Sequence, residues 1–350
     1  MGPQTNMTQM LELMLRPAFC VKDNQIQLCN SAAQALPLSP GGDIRELLLT
    51  GQTEYAQFSQ GCLYLRLLLP PRNPGACVSR VDGWDVFVLD TQDSDAVLQA
   101  LALAARTLRE PMSGAMLSAW HLLDRDLPPT PHAAALRRNM HQLLRILGNM
   151  ADAERYTHGA QQELLDADSL FREILEKAQA LLADSGTVLH WQSLDMPVMT
   201  LADREQLERS LLNLLSNAVK FSPEGTPITV NLTRNGQMLY LRLQTGGHMD
   251  TAMLSGVFNR YLRQPGLEDI RNGLGLGMVL VRSTAANHGG TVLIDQPQGR
   301  GVRITMTLAI RRRPEAVLRS PILRPDYAGD RDHALVELSD CLDSSAYQSN

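Results

Sequence analysis

The sequence predicts an α+β protein made of a small mixed domain, an antiparallel helical hairpin and an α/β sandwich. Apolar runs separated by turn residues come first, an unbroken heptad pattern follows, and alternating helix and strand patterns occupy most of the remainder. With 350 residues the chain exceeds the usual size of one domain, about 100–200 residues. We expect four segments: 1–93 for the mixed domain, 94–156 for the hairpin, 162–311 for the sandwich and 312–350 for a tail.

Composition argues against several classes of protein. Hydrophobic residues make up 44% and charged residues 20% of the chain, the balance of a globular protein. The sequence has no run of about 18 apolar residues and no signal-peptide pattern, so we expect a cytoplasmic protein without a membrane span. The net charge of −5 argues against nucleic-acid binding. The five cysteines lack metal-ligand spacing and are expected to be reduced thiols: Cys20, Cys29, Cys62, Cys77 and Cys341.

The N-terminal domain carries the pattern of a small sheet. Four short apolar runs read as strands, at 18–21, 25–29, 62–69 and 84–89. A strand, a turn at Asp23-Asn24, a second strand and a helix opening at Asn30 resemble the start of a PAS sensor domain. Other small antiparallel-sheet domains share this order, so a PAS-like sensor and a different small domain both stay open.

A heptad pattern begins near Asp95 and predicts two long helices. Apolar residues recur at alternating spacings of four and three on each side of a Pro-rich loop at 127–131, as Leu101, Ala105, Leu108, Met112, Ala115, Ala119 and Leu122 and then as Ala133, Leu136, Met140, Leu143, Leu147 and Met150. A lone hairpin leaves much of this stripe in water. We therefore expect a homodimer that forms a four-helix bundle, the alternative being packing on the chain's own flanking domains.

The sandwich is predicted from helices that alternate with strands. Helices are expected at 169–182, 203–221 and 277–287, and strands at 187–192, 228–232, 239–243, 291–294 and 302–308. Asn235-Gly236 is a strong hairpin turn. In the tail, the apolar stretch 334–338 is expected to dock as a short helix, for which the sequence indicates no mechanism.

The segment NLLSNAVKF, residues 213–221, is the most specific motif. Asn213 and Asn217 are four residues apart, so a helix places both carboxamides on one face beside Lys220. Asn is a poor mid-helix residue, and two on one face call for a reason. Carboxamide oxygens suit Mg²⁺, and a lysine ammonium suits a phosphate.

A second motif, NGLGLG at residues 272–277, leads directly into a helix. Glycines at 273, 275 and 277 leave backbone N–H groups free to approach an anion, and a helix N-terminus favours negative charge there. A glycine-rich turn alone is a weak indication, but its combination with the first motif and an intervening Phe258 is strong.

Together these residues resemble the ATP-binding domain of sensor histidine kinases, a Bergerat-type sandwich. The Asn box corresponds to Asn213, Asn217 and Lys220, the Phe box to Phe258 and the second glycine box to Gly273 and Gly275. The resemblance implies ATP as ligand, Mg²⁺ held by Asn217, Asn213 beside the phosphates, and a lid at 262–272. LREP, residues 108–111, looks like the end of the family's phosphoacceptor motif.

Two positions depart from the family. The phosphoacceptor histidine would stand five residues before Pro111, where this chain has Arg106, whose guanidinium cannot act as the nucleophile. The first glycine box expects DxGxG, whereas this chain has Gln244, Thr245, Gly246, Gly247 and His248. Gln244 still offers the adenine amine a neutral oxygen, so we expect ATP binding that is weaker than usual in the family.

The intact Asn box and second glycine box, together with the altered acceptor position and first glycine box, leave two functions open. The first is a sensor-histidine-kinase-like signalling protein that acts on an unusual acceptor; the alternative is a pseudokinase scaffold or nucleotide-gated switch for another kinase or a response regulator. His121, His132 and His141 lack the acidic neighbour and downstream proline of the family's site. We expect His121 and His141 to face solvent, because each lies one residue from the heptad seam.

Overall fold

The computed structural model describes residues 3–125, 130–183, 185–249, 254, 257–258, 275–297, 301–311 and 332–347. Its architecture is mixed α/β, as the sequence predicts. None of the helices within these ranges is long and apolar enough to cross a membrane.

The N-terminal part is a five-stranded antiparallel sheet with the strand order β2-β1-β5-β4-β3. Its elements are α1 (Pro3–Glu12), β1 (Ala18–Lys22), β2 (Gln25–Cys29), α2 (Gln52–Ala56), β3 (Cys62–Arg66), β4 (Gly75–Val81) and β5 (Trp84–Leu89). Four of these strands match the predicted runs. The sequence analysis missed β4, in which Ser79 and Arg80 interrupt the apolar run.

The expected helix at Asn30 is wrong in length. Asn30 caps only a single 3₁₀ turn, Ser31–Ala33, with its side chain accepting from the Ala33 N–H. The same amide donates to the carbonyls of Met14 and Arg16 at 3.0 and 2.8 Å. Because this buried side chain is bonded on both sides, it fixes the end of α1 against the sheet instead of starting a longer helix.

Two long antiparallel helices follow, α3 (Gln92–Arg125) and α4 (Pro131–Thr157). The heptad positions differ in burial. Ala105, Ala133 and Met140 are buried within the chain. Leu108, Leu122, Leu136 and Leu143 remain exposed by 42 to 54%. The hairpin therefore buries one part of its apolar seam and leaves another part in water.

The C-terminal part packs helices against the second half of the sheet. Its elements are β6 (Glu163–Asp166), α5 (Ala167–Ala183), β7 (Leu189–Gln192), β8 (Met199–Ala202), α6 (Arg204–Phe221), β9 (Ile228–Asn235), β10 (Met238–Gln244), α7 (Gly277–Asn287), β11 (Val292–Asp295) and β12 (Arg303–Ala309). The largest hydrophobic core lies between α5, α6 and this sheet. All three predicted helices and all five predicted strands are present; β6 and β8, a separate antiparallel pair, were missed.

The two sheets are continuous. β3 pairs antiparallel with β11, which gives one ten-stranded sheet whose second half runs β11-β12-β10-β9-β7. Behind this junction Asp90 accepts from Tyr64 Oη at 2.8 Å and from Arg282 Nη1 of α7 at 2.7 Å. The N-terminal sheet and the helices of the sandwich are thus joined by backbone pairing and by a buried charge pair.

The tail docks, as expected. His333–Glu337 forms a short helix, α8, and Ser344–Tyr347 forms a 3₁₀ turn. Its apolar side chains are fully or almost fully buried: Ala334, Leu335, Val336, Leu338, Leu342 and Tyr347. They join the core beside α4, α5 and α6.

Candidate functional site

Helix α6 has an apolar face and a polar face because its apolar residues follow the helical period. Leu207, Leu211, Leu214, Leu215 and Ala218 pack into the core. Asp203 caps the N-terminus by accepting from the Gln206 N–H at 3.2 Å. Arg209, Asn213, Asn217 and Lys220 follow each other at spacings of four and three, which aligns them along one edge of the helix.

Helix α7 begins where Asn213 lies. A Cβ added to Gly277 would stand only 2.6 Å from Asn213 Oδ1, so a glycine allows the two helices to approach this closely. Gly275, with φ of 72°, adopts the left-handed conformation that glycine tolerates best. Further along, Ser210 Oγ and Thr284 Oγ1 are hydrogen-bonded at 2.8 Å. The predicted Asn box and the end of the second glycine box therefore meet.

The first glycine box lies at the C-terminal end of α6. Gln244 ends β10, where it pairs with Arg303 and Thr229 on the neighbouring strands. Just beyond, a Cβ on Gly247 would stand 2.4 Å from the Phe221 carbonyl, and one on Gly246 would stand 2.9 Å from Thr226 Cβ. The chain after Gln244 thus passes close to the end of the helix that carries Lys220.

Phe258 occupies a different place from the polar edge. Its side chain is fully buried and lies 5.6 Å from the ring of Tyr64 on β3. It therefore contributes to the core at the junction with the N-terminal sheet. Gly273 and the predicted lid at 262–272 fall outside the described residues.

Two carboxylates of the tail lie on the polar edge of α6. Lys220 Nζ pairs with Asp340 Oδ2 at 2.8 Å. Asn213 Nδ2 donates to Glu337 Oε2 at 3.2 Å. Two predicted ligand-binding side chains are thus bonded to anionic groups from the C-terminal segment.

Two buried arginines complete this cluster. Arg145 of α4 pairs with Glu337 at 3.3 Å and with Asp340 at closer range, and its Nη2 lies 3.5 Å from Asn213 Oδ1. Arg209 is fully buried and contacts Glu337 Oε1 at 3.0 Å, Asn149 Oδ1 at 2.7 Å and Asp152. Burying an ion costs several kcal/mol of desolvation free energy, and close partners of opposite charge such as these offset that cost.

The sequence analysis did not identify Arg145, Arg209, Glu337 or Asp340. Arg209 stands four residues before Asn213, so the spacing that groups the Asn box also includes it. The other three come from distant segments, and local spacing gives no indication of them.

The charge of Asp340 is maintained by its neighbours. Burial by itself raises the pKa of this carboxyl, but Arg145 and Lys220 outweigh the burial and hold the pKa below its ordinary value of 3.8. A carboxyl whose pKa is lowered by folding stabilises the folded state above its unfolded pKa and loses that contribution as pH falls. At neutral pH the segment therefore presents an ionised carboxylate to Lys220.

The predicted acceptor position lies on the surface of the hairpin. Arg106 is exposed by 71%, and its Nη2 lies 3.7 Å from Glu154 Oε2 of α4. His121 and His132 are exposed. The expectation that His141 faces solvent is wrong: it is buried, with Nδ1 at 2.8 Å from the Arg137 carbonyl and its ring 4.9 Å from that of Tyr347. The docked tail covers His141, and the heptad pattern alone gives no indication of this contact.

Comparisons with known proteins identify the type of the C-terminal domain. Residues 202–312 match the family described as "Histidine kinase-, DNA gyrase B-, and HSP90-like ATPase". The sensor-like histidine kinase SenX3 of Mycolicibacterium smegmatis is 24% identical over 245 residues, which cover 66% of this chain and 63% of the relative. Residues 202–312 therefore carry a histidine kinase-type ATPase domain, and the chain is similar to sensor histidine kinases.

Further histidine kinases match shorter or more divergent regions. The histidine protein kinase DivJ of Caulobacter vibrioides is 34% identical over 110 residues, which cover 31% of this chain and 18% of DivJ. The crystal structure of full-length ShkA in complex with AMPPNP shares the fold, with a TM-score of 0.50 at 22% identity over 62% of this chain and 47% of ShkA. The chain spans less than two thirds of the length of these relatives.

The residues present at the polar edge of α6 have the chemistry to hold a nucleotide polyphosphate with a divalent cation. Three cationic side chains, Arg145, Arg209 and Lys220, already hold carboxylates beside the amide of Asn213. The Nδ2 of Asn217 lies 3.6 Å from Met278 Sδ, which turns the amide oxygen away from Met278. An anion and a hard cation would find suitable partners in this set.

The close approach of α6 and α7 gives a direct test. Gly277→Ala should shift Asn213 or the start of α7, lower the free energy of unfolding by roughly 1–3 kcal/mol and weaken ATP binding. Urea denaturation and calorimetric titration with ATP and Mg²⁺ measure the two effects.

Gly114→Ala in α3 is the matched control, since a Cβ there meets no atom within 4 Å. It should stabilise the helix by roughly 0.5–1 kcal/mol and leave ATP affinity unchanged. If Gly277→Ala and Gly114→Ala had the same free energy of unfolding and the same ATP affinity, the contact between Gly277 and Asn213 would not be important for the site.

Proposed function

We propose that this histidine-kinase-like protein binds ATP with Mg²⁺ in its 162–311 domain and acts in signal transduction. The observation that carries the proposal is the polar edge of α6, where Asn213 and Lys220 already bind anionic groups beside the glycines that open α7. The family match over 202–312 and the AMPPNP bound to the related ShkA support the same ligand.

Each residue has a defined task in this proposal. Lys220 and Asn213 contact the phosphates, Asn217 holds Mg²⁺, and Gly273 and Gly275 provide backbone N–H groups to the polyphosphate. Gln244 and Gly246 lie on the adenine side, and Phe258 anchors the segment that leads to the predicted lid. Bound Mg²⁺ would neutralise phosphate charge.

The adenine side determines how tightly ATP binds. Gln244 offers a neutral oxygen in place of a carboxylate, and hydrogen bonds to charged groups are stronger than neutral ones. Gln244→Asp should therefore tighten ATP binding by roughly 1–2 kcal/mol, about 5- to 30-fold. Calorimetric titration with ATP and Mg²⁺ measures the gain.

Gln237→Asp makes the same chemical change at an exposed turn position and should leave affinity unchanged. Asn217→Ala in the Gln244→Asp background should remove the Mg²⁺-dependent part of the binding. If neither the wild type nor Gln244→Asp binds ATP at millimolar concentration, the proposed function is wrong.

Arg106 sets a limit on the chemistry. Its exposed guanidinium pairs with Glu154 and stays protonated, so no base available in the protein turns it into a nucleophile. Incubation with γ-labelled ATP should leave no acid-labile phosphate on α3 or α4. Labelling that disappears in His121→Gln or His141→Gln would instead reveal a relocated acceptor.

Arg106→His with Thr107→Glu is the matched gain-of-function variant, since it restores both an imidazole and an adjacent acid. If this variant incorporates label and the wild type does not, the rest of the catalytic geometry is intact.

A second function, that of a pseudokinase scaffold or nucleotide-gated switch, is favoured by Arg106 and by the altered adenine side. In this second function, nucleotide binding changes the conformation of the protein, and a response regulator or another kinase binds the two conformations with different affinity. The 1–93 domain would serve as a PAS-like sensor, and the 94–156 hairpin would transmit its state to the 162–311 domain.

The hairpin is proposed to form a homodimer. The exposed heptad residues Leu108, Leu122, Leu136 and Leu143 lie on both helices, as the free half of a four-helix bundle requires. A second copy of the same hairpin is a self-complementary partner for this stripe.

Leu143→Glu should raise the dimer dissociation constant at least about tenfold, because it would place a carboxylate in the bundle core. Light scattering across a concentration series measures the mass. Leu15→Glu is the control, since Leu15 is 96% exposed and far from the hairpin in sequence. A monomeric wild type at micromolar concentration would refute the dimer.

A further inference from the structure

We propose that the C-terminal segment 332–347, referred to here as the tail segment, is a built-in competitor of ATP. Its carboxylates Glu337 and Asp340 take the phosphate side of the nucleotide site, so the tail segment must leave before ATP and Mg²⁺ bind there. This inference rests on the proposed function and specifies how that site is regulated.

The competition follows from shared partners. Lys220 Nζ is bonded to Asp340 at 2.8 Å, and Asn213 Nδ2 donates to Glu337 at 3.2 Å. These are the two side chains assigned to the phosphates. A polyphosphate within hydrogen-bond distance of both would overlap the carboxylate oxygens that now stand there.

The charges of the cluster favour an anionic occupant. Around the polar edge of α6, the cations Arg145, Arg209 and Lys220 face the carboxylates of Glu337, Asp340 and Asp152. Release of the tail segment removes the carboxylates of Glu337 and Asp340 and leaves the three cations with the single carboxylate of Asp152. The uncovered site would therefore attract a polyphosphate strongly, since a low-dielectric cleft strengthens each of these interactions.

The tail segment is held by α4 as well as by the site. Ser339 accepts hydrogen bonds through its carbonyl from Arg138 Nε at 3.1 Å and Gln142 Nε2 at 3.2 Å. Tyr347 is fully buried, donates to the Leu335 carbonyl at 2.8 Å and packs against His141 of α4. Release would thus expose a surface of the hairpin together with the nucleotide site.

Displacement is compatible with the packing. Asp340 keeps 27% of its side chain exposed, so water and ligand reach its pair with Lys220 from outside. Glu337 is fully buried, and its pairs with Arg145 and Arg209 provide the stronger hold. The outer pair is therefore the place to weaken docking without disturbing the core.

Asp340→Asn in the full chain is the primary variant. The amide is nearly the same size but lacks the charge that pairs with Lys220 and Arg145, so the fraction of undocked molecules rises and apparent ATP affinity rises with it. We expect the apparent Kd for ATP with Mg²⁺ to fall by about tenfold. Asp343→Asn, on an exposed residue of the same segment, should leave the Kd unchanged.

Hydrogen exchange of residues 332–347 provides a second readout that does not require tight binding. In the wild-type protein the tail segment should be protected without nucleotide and lose protection when ATP and Mg²⁺ are added. In Asp340→Asn it should exchange faster from the start.

The outcomes separate the two proposals. If ATP binds equally to the wild type and to Asp340→Asn while residues 332–347 stay protected, the tail segment does not compete and the proposed function stands. If Asp340→Asn exposes the segment but the protein still binds no ATP, the proposed function fails and the competition fails with it.

Discussion

The arrangement around α6 depends on the need to neutralise one buried cation. Arg209 has no exposed surface, and its guanidinium is paired with Glu337 of the tail and with Asn149 and Asp152 of α4. Removing a guanidinium from water costs several kcal/mol unless its partners are close and well oriented. A single side chain therefore holds three segments that are far apart in sequence against one another, and the position of each determines the charge balance of the candidate site.

Helix α7 connects this cluster to the N-terminal sheet. Its first residue, Gly277, touches Asn213, while Arg282 one and a half turns later reaches Asp90 at the end of β5. Arg282 is almost fully buried and lies over the Tyr64 ring, which also contacts Phe258. A movement of the N-terminal sheet would therefore act on the same rigid helix that closes the candidate phosphate site. Spatial continuity of this kind is a precondition for energetic coupling between the N-terminal sheet and the candidate site.

The sequence predicts what depends on local periodicity and on local motifs. The helices α5, α6 and α7 and the strands β7, β9, β10, β11 and β12 are found within a few residues of their expected positions, because their apolar residues follow the period of one element. The meeting of Asn213 with Gly277, the first residue of α7, is likewise indicated by the combination of the Asn motif and the glycine motif. The pairing of β3 with β11 could not be predicted, since any free strand edge offers the same backbone groups. The burial of His141 was missed for a related reason: Tyr347, which covers it, lies about 200 residues away in the chain.

The tail shows how this protein can keep a costly polar cluster. Buried cations without partners would destabilise the fold, and a site without any anionic occupant would have to admit water to Arg145 and Lys220. Glu337 and Asp340 remove that cost within the chain itself, so the cluster is neutralised without any bound ligand. Because an external anion has to displace these carboxylates, it must bind the cations more tightly than it would at an open site. Under the proposed function, weak ATP binding would have two separate physical origins: the neutral oxygen that Gln244 offers the adenine, and the carboxylates of the tail that pair with Lys220 and Asn213.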